Sequence, residues 1–213
     1  MAKRTHVYVD GFNLYYGCLK GTAERWLDLQ KFCQKIFPAN EIRRIHYYTA
    51  LVGSTVLDPQ KPERQQTYLR ALETLSTVSI RLGMFRTNTV KRELASPIPG
   101  GPRYVDVLDP KEKGSDVNIA TDLLADGFRG EYDVAIVVSN DSDLCRPIDV
   151  VRKQLGLDVI VVAPVCQQSR HPSYELRQVA TFVITPRRST LRACQFPDTV
   201  ADGNGMITKP VGW

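Results

Sequence analysis

Val134-Ala135-Ile136-Val137-Val138-Ser139-Asn140-Asp141-Ser142-Asp143 is an unbroken apolar run that ends in an acidic turn. A strand with one wet face alternates apolar and polar residues. A run without alternation, rich in β-branched residues, is a strand buried on both faces, and such strands belong to parallel sheets covered by helices. Val159-Ile160-Val161-Val162 repeats the pattern. Shorter β-rich runs at His6–Asp10, Ile45–Leu51, Val78–Phe85 and Ala180–Thr185 complete a set of strands. The segments between them have helical periodicity. Asp28–Phe37 places Leu29, Phe32, Cys33 and Ile36 on one side, and Pro62–Leu75 places Tyr68, Leu72 and Leu75 on one side. Val117–Phe128 places Val117, Ala120, Leu124 and Phe128 together, and Ser142–Leu155 turns Leu144, Ile148, Val151 and Leu155 inward. Strands alternating with helices predict a right-handed three-layer α/β sandwich with a mostly parallel central sheet.

Two stretches break the alternation. Residues 87–114 contain Pro97, Pro99, Pro102, Pro110 and Gly100-Gly101, and read as a long loop with one short strand at Tyr104–Leu108. Residues 186–213 read as a C-terminal extension outside a domain spanning residues 1–185.

The 213 residues are 43% hydrophobic and 24% charged, a globular composition. No stretch approaches the roughly 20 apolar residues of a membrane span. Val7-Tyr8-Val9 is too short for the apolar segment of a secretion signal, so a cytoplasmic protein is expected. The five cysteines form no Cys-x-x-Cys pair and read as reduced thiols, and the three scattered histidines suggest no zinc site. A net charge of +5 is compatible with a polyanionic partner.

Within this basic chain, acids gather at one edge. Ligands of an α/β sheet bind beyond the carboxyl ends of its strands. Asp10-Gly11-Phe12-Asn13 follows the first strand, Ser139-Asn140-Asp141-Ser142-Asp143 follows the fourth, and Lys113-Gly114-Ser115-Asp116 opens a helix that runs back from that edge. Each acid alone could cap a turn or helix. Together they repel one another unless a cation lies between them, and an all-oxygen set without histidine or cysteine suits a hard divalent metal. Asn13 could bond a carboxylate or a water. Asp122, Asn118 and Asp126 read as a solvent-facing polar stripe, and Phe12, Tyr15 and Tyr16 read as helix-packing rings. There is no Gly-x-Gly-x-x-Gly after the first strand and no Walker lysine motif, which removes dinucleotide binding and P-loop chemistry.

The segments Val7–Leu14, Lys113–Val117 with Asp122-Leu123-Leu124, Val137–Leu144, Arg146-Pro147-Ile148 and Gly156–Val159 resemble the NYN family of PIN-like nuclease domains. Order and spacing agree from about Val7 to Thr185. Many members carry glycine where this chain has Asn140. The resemblance implies a metal-dependent ribonuclease with RNA as partner and Mg²⁺ or Mn²⁺ as cofactor. It makes Asp10, Asp116, Asp141 and Asp143 the metal ligands and catalytic acids, and Asn13 a supporting catalytic group. Lys113, Arg146, Arg103, Ser139 and Asn140 would contact substrate, with Lys91 and Arg92 nearby. A homo-oligomer is compatible with the sequence. Two rival functions remain open at this point: a silent RNA- or protein-binding module, and a small-molecule phosphohydrolase.

Overall fold

Along β1 (Lys3–Asp10), Val7 and Val9 enter one hydrophobic cluster and Tyr8 enters another, and all three are buried. The strand is therefore covered on both faces, as its apolar run requires. The computed structural model describes residues 2–97, 99–167 and 170–213. After β1 come α1 (Gly11–Leu14), a π-helical turn (Tyr15–Leu19), α2 (Leu29–Ile36), β2 (Asn40–Thr49), α3 (Lys61–Glu73) and β3 (Val78–Leu82). An antiparallel hairpin of β4 (Met84–Glu93) and β5 (Tyr104–Lys113) leads to α4 (Ser115–Phe128) and β6 (Val134–Val138). The chain continues through a 3₁₀ turn (Ser142–Leu144), α5 (Cys145–Gln154), β7 (Asp158–Val162), α6 (Tyr174–Val179) and β8 (Phe182–Ile184). It closes with α7 (Arg188–Ala193) and the hairpin β9 (Thr199–Asp202) and β10 (Gly205–Thr208).

The main sheet has the order β3-β2-β1-β6-β7-β8, and every neighbouring pair is parallel. This is the three-layer α/β architecture. From β1 the chain winds outward to β2 and β3. From β6 it winds the other way, to β7 and β8. The reversal lies between β1 and β6, and a crevice opens at such a point beyond the carboxyl ends of the strands.

The structure departs from the sequence reading in four places. Residues 87–114 are mostly the β4–β5 hairpin, not a loop. Pro97, Pro99 and Pro102 fall between the strands, and Pro110 pairs with Thr87 on a two-stranded ladder where a missing N–H is tolerated. Residues 186–213 are no appendage: Leu191, Cys194, Phe196 and Ile207 are buried in the same cluster as Val7 and Val9. Trp26 Nε1 donates to the Pro197 carbonyl at 2.8 Å, and Arg70 Nη2 donates to Asp202 at 2.7 Å. On α4 the buried stripe is Ile119 and Leu123, whereas Val117 is 69% and Phe128 62% exposed. Finally, Cys18 and Cys166 form a disulfide, with Cys33, Cys145 and Cys194 free. The partners lie 148 residues apart, so no local pattern reveals the pair. Among the described residues, no helix is long and apolar enough to cross a membrane.

Candidate functional site

Asp10 ends β1, and the chain turns at once into α1. Its Oδ1 accepts the Asn13 backbone N–H at 2.9 Å, which caps the helix. Gly11 makes the turn possible: a Cβ there would meet the Tyr47 ring and the Tyr48 carbonyl at 2.7 Å. The other Asp10 oxygen accepts from Ser139 Oγ at 3.2 Å, across from β1 to the end of β6. Ser139 Oγ in turn accepts the Asp141 backbone N–H at 3.1 Å. Asn13 Oδ1 accepts the Asn140 N–H at 3.1 Å. The two strand ends are thus stitched together by Ser139 and Asn13.

Asp116 arrives from a third element. Gly114 adopts φ +103°, a conformation that favours glycine, and α4 begins immediately after it. Ser115 donates through its backbone N–H and its hydroxyl to Glu112 Oε1, at 3.2 and 2.9 Å. Asp116 therefore lies in the first helical turn, where the helix dipole favours a negative charge.

Asp10, Asp116 and Asp141 line one open cavity of about 760 Å³, a volume that includes its solvent-open part. Phe12, Asn13, Tyr16, Phe85, Pro110, Glu112 and Ser115 complete the lining. Glu112 is illegible in the sequence because it sits between Lys111 and Lys113 and looks like part of a surface charge run. Its pairing with Phe85, another lining residue, turns it to the cavity side of the hairpin.

The remaining expected residues do not line this cavity. Asp143 gives only its backbone N–H, to Asp141 Oδ1 at 2.9 Å, and its side chain is not part of the lining. Lys113 alternates with Glu112 along β5, which carries it to the opposite face, exposed. Arg146 pairs with Asp149 on α5, and Arg103 pairs with Glu93 at 2.7 Å at the far end of the hairpin. Ser139 is fully buried, so it positions Asp10 and Asp141 and meets no substrate. The Asn140 side chain is held by the Ser173 N–H at 2.7 Å and the His171 carbonyl at 3.2 Å, which also makes it a positioning group.

Electrostatically the acids are uncompensated. Among the described residues, no lysine or arginine nitrogen lies within 4.0 Å of a carboxylate oxygen of Asp10, Glu112, Asp116, Asp141 or Asp143. On the hairpin, Arg92 and Lys111 are committed to Asp109. Burial, reinforced by Asp10, Asp141, Glu112 and Asp143, pushes the Asp116 carboxyl up to about 6. Burial also raises Asp10, opposed by the hydrogen bonds from Asn13 and Ser139. The three aspartates do not form a set of ligand atoms within 4.8 Å of one another. They suit an ion that keeps part of its water shell, as Mg²⁺ does, rather than one bound by all three directly.

Asp116 gives a pH prediction. Its folded pKa lies above its unfolded one, so the native state holds more protons in that range. Without metal, the contribution of Asp116 to stability is greatest below about pH 4 and is lost as pH rises through about 6. A divalent ion substitutes for the proton. The thermal midpoint should therefore gain more from Mn²⁺ or Mg²⁺ at pH 7.5 than at pH 5; equal gains at both values would remove the acid cavity as the binding site.

A second cluster lies under α4. Among the described residues, the one group of three potential ligands within 4.8 Å is His6, His46 and Asp126. The pairing of β1 with β2 brings the two histidines together, across a sequence distance that conceals them. Asp126 Oδ2 lies 2.8 Å from the Tyr8 hydroxyl, 3.3 Å from His6 Nδ1 and 3.5 Å from His46 Nε2. Burial alone would raise Asp126; contacts from His46, His6 and Tyr8 instead hold it well below the ordinary carboxylate range. All three residues are buried, so Asp126 is not part of a solvent-facing stripe. Asp122, on the same helix, accepts from the Tyr48 hydroxyl at 2.9 Å and stays outside the acid cavity.

Similarity to known proteins is consistent with this architecture. The family model described as NYN domain matches residues 4–187. The 6-hydroxy-3-succinoylpyridine 3-monooxygenase HspA of Pseudomonas putida (strain DSM 28022 / S16) is 32% identical over 235 aligned positions, covering 99% of this chain and 75% of that protein. The crystal structure of VPA0982, a protein of unknown function from Vibrio parahaemolyticus RIMD 2210633, matches with a TM-score of 0.52 at 19% identity. It covers 86% of this chain and 93% of that one, and at this identity it shows a shared fold.

Proposed function

Because the chain belongs to the NYN domain family of PIN-like nucleases, we propose that it is a Mg²⁺- or Mn²⁺-dependent endoribonuclease acting at the Asp10–Asp116–Asp141 cavity. One observation carries this reading. Carboxylates from the ends of β1 and β6 and the start of α4 line one cavity at the sheet's reversal point and, among the described residues, have no lysine or arginine nitrogen within 4.0 Å to balance them. The donor set is all oxygen and fits a hard divalent ion. Such an ion supplies positive charge that polarises a phosphoryl oxygen and acidifies water.

The chain's own residues do the rest. Asp10, Asp116 and Asp141 would hold the ion, and Glu112 lines the same cavity. Ser139 and Asn13 keep the strand-end acids in register through the bonds described above. Without the ion, burial and the neighbouring carboxylates raise Asp116 to about 6, the charge crowding that a bound cation would relieve. Phe12, Tyr16 and Phe85 form its aromatic rim; Phe12 meets Phe85 edge-on at 5.4 Å and stacks with Tyr16 at 6.4 Å. Aromatic rings beside a phosphate-handling site suit splayed bases of single-stranded RNA.

The test is incubation with a mixed single-stranded RNA, with Mg²⁺, with Mn²⁺ and with a chelator. Cleavage that requires the metal is expected; intact RNA under all three conditions would overturn the reading. A second reading, small-molecule chemistry at this cavity, is favoured by the Pseudomonas relative, whose name specifies a pyridine substrate. Turnover of small aromatic acids with RNA left intact would select it.

A further inference from the structure

On the other side of Phe12 and Tyr16 lies a second cavity with the opposite charge character. It spans about 670 Å³, including its solvent-open part. Rings dominate its lining: Phe12, Tyr15, Tyr16, Tyr47, Tyr68 and Trp213. Most of these rings come from elements far apart in sequence. The turn after β1, strand β2, helix α3 and the chain's last residues all contribute. Tyr15, Tyr47, Tyr68 and Trp213 belong to or pack against the first hydrophobic cluster.

Three cations also line the space: Arg25, Lys61 and Arg64. Arg64 is spoken for, since its Nη2 donates to Asp58 at 2.6 Å. Arg25 is held differently. Its Nε donates to the Thr22 carbonyl at 2.8 Å, another guanidinium nitrogen donates to the Gly212 carbonyl, and the guanidinium lies over the Trp213 ring, 5.6 Å from its centroid. These contacts orient the group without cancelling its charge. Among the described residues, neither Arg25 nor Lys61 has a carboxylate oxygen within 4.0 Å. The aromatic wall therefore separates uncompensated acids from uncompensated cations.

We propose that this second cavity binds a planar aromatic ring bearing an anionic group, with the ring against the tyrosines and Trp213 and the anion on Arg25 and Lys61. Mainly apolar pockets with a few placed charges are the usual form of small-ligand sites. Ring stacking tolerates many ring systems, whereas the cations demand a carboxylate or phosphate. Two sources share this chemistry: a free aromatic acid, and a nucleotide. A ligand extending past Phe12 and Tyr16 would reach the acid cavity, because those two residues line both spaces. The assignment does not depend on metal binding or on RNA cleavage.

Calorimetric titration in the presence of a chelator tests it. The probes are benzoate, uridine monophosphate and adenosine monophosphate, each set against its uncharged counterpart: benzamide, uridine and adenosine. At least one anion should bind with a Kd below about 1 mM, and its neutral counterpart about tenfold more weakly. Lys61→Gln and Arg25→Gln should each weaken that anion about fivefold or more while the circular dichroism spectrum is kept. Lys61 is the half-buried first residue of α3 and, among the described residues, has no ion pair, so its variant retains the fold even if Arg25→Gln loosens the chain's end. Asp10→Asn should leave binding unchanged. Benzoate binding identifies a free aromatic acid, and nucleotide binding identifies a nucleotide. The proposal is overturned if no anion reaches that affinity, if charged and neutral probes bind alike, if Lys61→Gln binds as the wild type does, or if Asp10→Asn abolishes binding. Loss of metal-dependent cleavage alone leaves it standing.

Discussion

Asp10→Asn, and separately Asp141→Asn, should lower metal-dependent RNA cleavage by about 10³-fold or more, equivalent to roughly 4 kcal/mol of lost transition-state stabilisation. The substitution removes charge and little else. An asparagine at position 10 can still accept the Asn13 N–H through its amide oxygen, so the α1 cap survives. Its neighbour Ser139 retains the Asp141 N–H. Asp10 is nearly buried, at 5% exposure, and burial opposes its charge, so neutralising it should not destabilise the metal-free protein. The same holds more strongly for Asp116→Asn, which should stabilise the metal-free protein near pH 7 while abolishing cleavage. Asp143→Asn should have a smaller effect, because that side chain does not line the cavity. Initial rates on a fluorescently labelled RNA, with melting curves in chelator as the fold control, measure all four. Near wild-type cleavage by purified Asp10→Asn or Asp141→Asn would refute the assignment of the site.

The acid site is legible in the sequence and its surroundings are not, for a physical reason. Val134–Val138 and Val159–Val162 announce buried parallel strands because burial on both faces leaves no polar alternation to confuse the period. In a parallel sheet the turns after the strands share one edge, so Asp10 and Asp141 come together by topology alone. Whatever depends on long-range pairing stays hidden. Glu112 faces the cavity only because β5 pairs with β4, and a proline-rich connection masks that hairpin. Lys113, Arg103 and Arg146 suggest themselves as phosphate contacts through closeness in sequence to the acidic motifs and the long connection. Strand alternation turns the first away, and local acids claim the other two. The ring-lined cavity needs Trp213, which enters the core only because residues 186–213 fold back onto Trp26 and Tyr68. On α4, two apolar stripes compete, and Asp126 helps select between them by bonding inward.

That inward bond is the basis of the largest expected stability effect. Asp126→Ala should destabilise the protein by about 3–5 kcal/mol, the range for removing one partner of a buried charged network. The carboxylate takes the Tyr8 hydroxyl at 2.8 Å and lies within 3.3 and 3.5 Å of His6 and His46. Its loss strands two imidazoles and a phenol in a core where Ile119, Leu123 and Tyr132 shut out water. His46 Nδ1 keeps its contact with Ser79 Oγ at 2.8 Å, but its Nε2 already has no hydrogen-bond partner of good geometry and gains none. Asp126→Asn should cost less, since its amide oxygen can still accept from Tyr8, although its NH₂ then faces imidazole nitrogens. A pH series gives the sign. Asp126 has a depressed folded pKa, so its contribution is present above its unfolded value near 4 and is lost as pH falls through the folded one. The stability gap between the wild type and Asp126→Asn should therefore narrow on acidification below about pH 4. Urea denaturation at fixed m-value measures both effects. A loss under about 1 kcal/mol for Asp126→Ala at pH 7 would mean that the apolar residues of α4 hold the helix without the network.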